Sequence, residues 1–294
     1  MNILIANVGN IRTNEIKVLA EALNKNHKVT IISMGTESSN RGLAFSFSET
    51  PVRVTPLTYK EIVASASWVM QKDVKEVKSL SKAKAAAFDG IAAYEFVGNP
   101  ADAMSITLKD IVAHKQPDLV ICGINNGVHF GQDIYCSSNI GMAMESTFFG
   151  YPTIAIAVER KIGGNTEDDL SNAVKFIEKN VEAFAKMKLP ENTFLSVNIP
   201  TVDKYENFAG VRVARMSRMS QLSSFVEKTD PLGNKYYWAN NVERLNADSG
   251  EQYARTWYDN GHITVVPLNY DATDYTAVET WDQKIRMEIE EGEA

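Results

Sequence analysis

The sequence predicts an α/β fold, a doubly wound and mostly parallel sheet carrying a protruding C-terminal β-hairpin arm. Three observations predict it. Over the first 200 residues, short β-rich apolar runs alternate with amphipathic stretches of helical length. A Gly/Asn-rich loop, Gly123 to Ser138, follows an apolar run near the middle of the chain. Past residue 200 the helical spacing gives way to short β-like runs around Asp230-Pro231-Leu232-Gly233-Asn234, which has hairpin-turn chemistry.

The elements follow in order. Asn2 to Val8 reads as a buried strand, Thr13 to Leu23 as a helix with Ile16, Leu19, Ala20 and Leu23 on one face, and Lys28 to Ser33 as a second strand. Ala93 to Val97 is a strand, Pro100 to about Ala113 a helix, Asp118 to Cys122 a strand, and Asn139 to Phe149 a helix. Thr153 to Val158, the helix Glu167 to Ala185 and the strand Phe194 to Ile199 complete the alternation. Parallel neighbours cannot be joined by a tight turn, so strands separated by such helices imply a Rossmann-like sheet with right-handed crossovers. Ligands of these sheets bind at the carboxyl ends of the strands, which directs attention to Val8 to Arg12, Gly35 to Gly42 and Gly123 to Ser138.

The expected organisation is an α/β core over 1–200, an all-β extension and oligomerisation arm over 201–275, and a polar helix or tail over 276–294. Within the core, the charged and Ala-rich residues 60–89 read as a surface insertion. The extension holds β-like runs at Val211 to Met216, Ser223 to Lys228, Lys235 to Trp238 and Ile263 to Pro267. A lone hairpin is marginal in water, so an arm ending in Tyr236, Tyr237 and Trp238 is expected to pack on a second subunit, giving a homodimer or homotetramer.

A formal charge of −7 argues against a nucleic-acid polymer as partner, since backbone neutralisation needs a concentrated basic surface. Two cysteines, Cys122 and Cys136, make neither a disulfide framework nor a zinc signature. The amino terminus enters an apolar run without a basic leader, and no stretch reaches the roughly 20 apolar residues of a membrane span. These features predict a cytoplasmic protein with no membrane contact. A P-loop, a nucleophile elbow and a Gly-x-Gly-x-x-Gly after the first strand are all missing from the sequence.

The segment Gly123-Ile124-Asn125-Asn126-Gly127-Val128-His129-Phe130-Gly131, then Tyr135-Cys136-Ser137-Ser138-Asn139-Ile140-Gly141, resembles the SurE nucleotidase family. That family shows Gly-Ile-Asn-x-Gly-x-Asn-x-Gly and then Tyr-Ser-Gly-Thr entering a small-residue helix. Further blocks follow in family order: Gly98 to Asp102, Gly150-Tyr151-Pro152, Val197-Asn198-Ile199-Pro200, the hairpin at Asp230 to Gly233, and Gly261 to Leu268. The resemblance implies a SurE-like fold and a phosphomonoester hydrolase of the 5′/3′-nucleotidase type, a nucleotidase or acid-phosphatase-like enzyme. Its substrates would be nucleoside monophosphates or a related small phosphate ester. It also implies a divalent ion, Mg²⁺ or Mn²⁺, held by two adjacent aspartates, a serine and the asparagine of Gly-Ile-Asn.

Ser39 and Asn125 match the last two ligand positions, and Asn7 matches the residue before the aspartate pair, but the pair itself is Val8 and Gly9, with Asn10 next. Hard dications prefer anionic oxygens, so a site reduced to amides and hydroxyls predicts weak metal affinity. Asp102 and Asp133 are the carboxylates in matched blocks that offer substitutes, each equally suited to capping or solvation. Asn7, Gly9 and Asn10 of the first loop, with Ser39, are candidate phosphate contacts. Ser137 and Ser138 precede a helix whose N–H groups and dipole suit a phosphate, or else one of them simply caps it. Arg12 and Arg41 are candidates to replace the metal as permanent cations, or else are solvated surface residues. His129 takes the place of the motif's second asparagine and is the candidate acid or base, or a plain hydrogen-bonding residue.

Two functions are therefore expected to compete: a phosphomonoester hydrolase with a degenerate metal site, and a non-catalytic or metal-independent nucleotide- or anion-binding protein on the same fold. Other hydrolytic chemistry on a nucleoside-like ligand, using His129 and Asn125, is a third.

Overall fold

The computed structural model describes residues 1–35, 38–46, 50–57, 90–161, 164–201, 208–246 and 250–292, with 219–223, 241–246, 283 and 285–292 described by their backbone alone. The expected insertion over 60–89 lies outside these residues. The chain runs β1 (Asn2–Asn7), α1 (Asn14–Asn24), β2 (Lys28–Met34), β3 (Arg53–Leu57), β4 (Ala92–Val97) and α2 (Pro100–Ile106). It continues through β5 (Leu119–Asn126), α3 (Asp133–Cys136), α4 (Ser138–Phe148), β6 (Thr153–Val158), α5 (Glu167–Lys186) and β7 (Phe194–Ile199). Last come β8 (Gly210–Val213), β9 (Met219–Thr229), β10 (Lys235–Asn246), α6 (Ala254–Asp259), β11 (His262–Leu268) and α7 (Tyr275–Gly292).

Among the described residues the main sheet has the order β3-β4-β2-β1-β5-β6-β7-β11-β8. From β4 to β7 every pairing is parallel. The chain builds outward from β1 through β2 to β4, then returns to place β5 on the other side of β1. The strand order thus reverses between β1 and β5, and the loops leaving those two strands diverge to opposite faces and open a crevice. Edge strand β3 runs antiparallel to β4 and tolerates Pro56, which a central strand would not.

The alternation of β1 shows how both faces are filled. Ile3 and Ile5 join a core layer with Ile16 and Leu19 of α1 and Leu170 and Ile177 of α5. Leu4 and Ala6 join the opposite layer, with Met104 of α2 and Ile140 and Met142 of α4. Each such fully buried aliphatic side chain contributes about 1.5–3 kcal/mol relative to exposure, which is why the strands read as continuous apolar runs rather than alternating ones.

The segment past residue 200 differs from the expected all-β extension in two ways. Strand β11 pairs antiparallel with β7 and parallel with β8, so both strands extend the main sheet. It also contains α6, whose Ala254 and Tyr258 pack with Val128, Phe130 and Val266 in a third apolar cluster. At six residues α6 is too short to display a helical period in sequence. The separate two-stranded sheet is β9 with β10, joined by the expected turn, where the Asp230 carboxylate accepts from Leu232 N and Asn234 N, each at 2.8 Å. Phe225, Tyr237 and Trp238 on this hairpin are exposed.

The expected long helix from Pro100 is α-helical only to Ile106 and continues as one wider π turn over Thr107–Ile111. The Thr107 hydroxyl donates to Ala103 O, a carbonyl that also receives the Thr107 N–H, and the next turn opens beyond this crowded acceptor. No described helix is long and apolar enough to cross a membrane.

Candidate functional site

A polar cleft of about 380 Å³ lies at the carboxyl ends of β1, β5 and β6, and Val8, Ser39, Asn125, His129, Ser137 and Arg160 are among its walls. Asn7 precedes the lining residue Val8. The buried Asn7 amide donates to Ile124 O at 3.1 Å, and its carbonyl accepts from Gly9 N at 2.8 Å, so the end of β1 is tied to β5. Next to it, Gly123 takes φ +133°, and a β-carbon there would lie 2.4 Å from Ile156 O. Only glycine lets β5 approach β6 this closely, and the register between them slips between Cys122 and Asn125. The slip aims Asn125 at the cleft.

The loop after β2 is fastened to the start of α4. Ser138 Oγ donates to Ser38 O at 2.7 Å and accepts from Arg41 N at 2.9 Å, while Gly42 N donates to Cys136 O at 2.8 Å. A β-carbon on Gly141 would lie 2.2 Å from Gly42 O, so the loop lies backbone against backbone on the helix. This contact carries Ser39 to the cleft wall. Ser137 is the N-cap of α4, its Oγ accepting from Ile140 N at 3.3 Å.

His129 is 3% exposed, and its backbone is gripped from both sides by Asn198 of β7. Its Nε2 lies 2.9 Å from Ser137 Oγ and 3.1 Å from Asn125 Nδ2. The same Asn125 Nδ2 donates to Gly127 O at 2.7 Å. A carbonyl only accepts, so this contact assigns the amide nitrogen, and Nε2 therefore faces a donor and must carry the lone pair. The proton sits on Nδ1. Burial lowers the imidazole pKa to about 4, so the ring is neutral at pH 7.

The structure brings together Ser39, Asn125, His129, Ser137 and Ser138 around one space. Asn7 and Gly9 flank the lining residue Val8 and are joined by their own hydrogen bond, outside the cleft lining. Asn10 turns back on its own loop, accepting from Arg12 N at 3.0 Å, and Arg12 is exposed. The Arg41 guanidinium reaches away, donating to Asn99 Oδ1 at 3.1 Å and Gly98 O at 3.3 Å. Asp102 accepts from Ser46 N and Oγ at 2.9 and 2.7 Å, whereas Asp133 does line the cleft.

Sequence reasoning passed over two residues. Arg160 follows β6 and supplies a cation to the cleft wall, a position that the strand-end rule marks once β6 is known to lie beside β5. Its loop is fastened by Asn165, which donates to Asn126 Oδ1 at 3.1 Å and Glu159 O at 3.2 Å. Asn198 is fully buried, and an amide inside the apolar run Phe194 to Ile199 was the available signal.

As a seat for a dication, the donor set fits poorly. Val8 and Gly9 carry no side-chain oxygen, both polar atoms of Asn7 are engaged, and Asn125 and Ser39 are neutral, which leaves Asp133 as the one carboxylate among the described lining residues. Among the described residues no group of three His, Cys, Asp or Glu converges as a metal cluster would. The arrangement is better suited to an anion, with the first turn of α4, the Ser137 and Ser138 hydroxyls and Arg160 around the same space. A second, mostly apolar cavity of about 700 Å³ adjoins it, walled by Leu43, Ile134, Tyr135, Met144 and Leu268, and Ser137 belongs to both.

Residues 3–222 match the family described as "Survival protein SurE". A "5'-nucleotidase SurE" of Thermoanaerobacter sp. (strain X514) is 29% identical over 289 residues, covering 97% of this chain and 100% of that protein. One from Caldanaerobacter subterraneus subsp. tengcongensis is 33% identical over 186 residues, covering 63% of this chain and 69% of that protein. In structure, the SurE protein from Aquifex aeolicus superposes with a TM-score of 0.68 at 25% identity, covering 95% of this chain and 98% of that one.

Proposed function

The chain belongs to the SurE family, and from that premise we propose that it hydrolyses nucleoside monophosphates or a related small phosphate ester in the cleft between β1 and β5, with little dependence on a tightly held dication. The observation that carries this reading is the convergence of the α4 N-terminus, the Ser137 and Ser138 hydroxyls, Asn125 and Arg160 on one polar space at the switch point of the sheet.

Phosphoryl transfer is mostly a matter of holding the group and balancing charge on its oxygens. In SurE nucleotidases a divalent metal serves that purpose. Here a donor set with the single carboxylate of Asp133 suits such an ion poorly, and the cationic and N–H groups of the cleft take over the balancing. The phosphate lies against the first turn of α4 with Arg160 opposite, and Ser39 and Asn125 orient its oxygens. His129, neutral and fixed from behind by Asn198, presents its Nε2 lone pair to accept a proton. Asp133 at the rim disfavours ligands of higher negative charge.

The exposed Phe225, Tyr237 and Trp238 of the β9–β10 hairpin support assembly into a homodimer or homotetramer through this arm. A cytoplasmic location belongs to the same proposal.

Phosphate release from nucleoside 5′- and 3′-monophosphates and from p-nitrophenyl phosphate tests the reading, with Mn²⁺ or Mg²⁺ and with chelator. Turnover that survives chelation is expected. Thermal stabilisation by nucleotides without release of phosphate from any of them would overturn hydrolysis and leave the binding-protein alternative, which the loss of both aspartates favours.

A further inference from the structure

We propose that Ser137 and His129 form a nucleophile and base pair that transfers the phosphoryl group through a phosphoserine, on monoesters whose leaving group is apolar or aromatic. The phosphate chemistry rests on the proposed function; the pairing rests on geometry alone.

The pairing begins with a hydrogen-bond inventory. Ser137 Oγ accepts the capping N–H of Ile140 at 3.3 Å, which leaves its own proton to donate. The acceptor it meets at 2.9 Å is His129 Nε2, assigned as the lone-pair nitrogen by the Asn125 and Gly127 contacts, and the hydroxyl shares that one lone pair with the longer Asn125 N–H contact at 3.1 Å. An N-cap needs no histidine. His129 Nδ1 is buried without a hydrogen-bond partner among the described residues, so the ring is oriented through Nε2 and through the backbone grip of Asn198. A serine hydroxyl donating to a rigidly placed imidazole nitrogen, at the amino end of an eleven-residue helix, has the parts of an activated nucleophile. The helix N-terminus and Arg160 face the charge that grows on the phosphoryl oxygens.

The steps balance without any further reactant than water. As Ser137 Oγ bonds to phosphorus, its proton passes to His129 Nε2. The bond from phosphorus to the ester oxygen breaks, the electron pair stays on that oxygen, and Nε2 returns the proton to it. The alcohol then leaves. Water next gives a proton to Nε2 while its oxygen bonds to phosphorus, the bond from phosphorus to Ser137 Oγ breaks, and Oγ recovers the proton as inorganic phosphate departs.

The leaving group follows from the second cavity. Ser137 stands in the shared wall of the polar cleft and of the apolar space lined by Leu43, Ile134, Tyr135, Met144 and Leu268. A phosphate seated at α4 directs its ester oxygen towards that space, which suits a flat or apolar group better than a bare sugar.

Diisopropyl fluorophosphate, a reactive probe for activated serines, tests the pairing in the full chain with chelator present. Peptide mass spectrometry is expected to find the label on Ser137. Ser137→Gly, the residue of the family motif at this place, abolishes labelling, and His129→Asn, likewise the motif residue, slows it on the order of a hundredfold. If His129→Asn melts below the assay temperature, His129→Gln is judged by the same rate. An unlabelled Ser137 in the folded parent, or a labelling rate unchanged by the histidine substitution, overturns the pair. The two readings fail separately. Phosphate release that persists in Ser137→Gly removes the pair and keeps the hydrolase, whereas labelling of Ser137 without phosphate release from any monoester removes the hydrolase and keeps the pair. A KM for 2-phenylethyl phosphate no lower than that for glycerol phosphate, both alkyl esters of similar leaving ability, overturns the apolar leaving group.

Discussion

Asn198 of β7 holds both backbone polar atoms of His129, accepting from its N–H at 2.7 Å and donating to its carbonyl at 3.1 Å. The two residues are 69 positions apart, and the contact is buried. It fixes the height of the imidazole over the cleft, and it satisfies backbone groups that no strand ladder reaches. Replacing Asn198 by Ala leaves both groups buried and unpaired, so a loss of about 2–4 kcal/mol is expected in urea unfolding. Phosphate release should fall with it, even under conditions where the variant remains folded.

Restoring acid to the first loop separates metal affinity from the rest of the site. Val8 lines the cleft, and a β-carbon on Gly9 would lie 3.3 Å from Asn7 Oδ1, close but open to small adjustment. The double variant Val8→Asp, Gly9→Asp should gain several degrees of melting temperature with Mn²⁺ and lose stability in chelator, where two carboxylates crowd each other. An unchanged midpoint in both conditions would show that residues 8 and 9 do not govern ion binding.

Removal of the Arg160 cation should raise KM for a nucleoside monophosphate about tenfold or more with little change in melting temperature, since the side chain is exposed. Arg12→Ala should leave KM as it is. Equal effects of the two substitutions would place the phosphate elsewhere.

Gly141→Ala tests the seat of the loop after β2. A β-carbon there meets Gly42 O at 2.2 Å, backbone that cannot yield without lifting the loop. We expect a loss of about 1–3 kcal/mol by denaturant titration and a larger drop in activity than the stability loss alone explains, because Ser39 moves with the loop.

Acid stability should report the cap of α5. Burial works to raise the Asp169 pKa, but Lys161 and the N–H and hydroxyl of Thr166 outweigh it and leave the carboxylate below its ordinary value. A folded-state pKa below the unfolded value of about 3.9 stabilises the protein above that pH, and the contribution is lost as pH falls through the folded value. Asp169→Asn should therefore lower the melting temperature at pH 6, and its gap from the parent should close below about pH 4. A gap that is constant down to pH 2.5 would exclude the ionised carboxylate as the source.

The strands were legible because each is a continuous apolar run; Thr153–Val158 and Phe194–Ile199 are read to the residue. Most of the lining residues legible in sequence belong to one motif: Asn125 lies at the end of β5, His129 on the loop that follows, and Ser137 and Ser138 at the start of α4. What sequence left open was direction. Arg12 and Arg41 sit on the expected loops, but a side chain's heading depends on acceptors distant in the chain, Gly98 and Asn99 in the case of Arg41. The pairing of β11 with β7 and β8 is equally non-local, and six residues of α6 are too few for a period. Ser137 read as a cap or an anion contact, and only the approach of a loop histidine eight positions earlier gives it a third use.

The reversal of strand order at β1 has a consequence for how such a chain evolves. The slot between β1 and β5 is a by-product of wiring, maintained by Ile3, Leu4 and their partners far below the rim. Residues 8 and 9 at the rim can therefore change without undoing the scaffold. Descent and chemistry are inherited on separate residues, so backbone superposition by itself is a poor guide to the reagent a descendant employs.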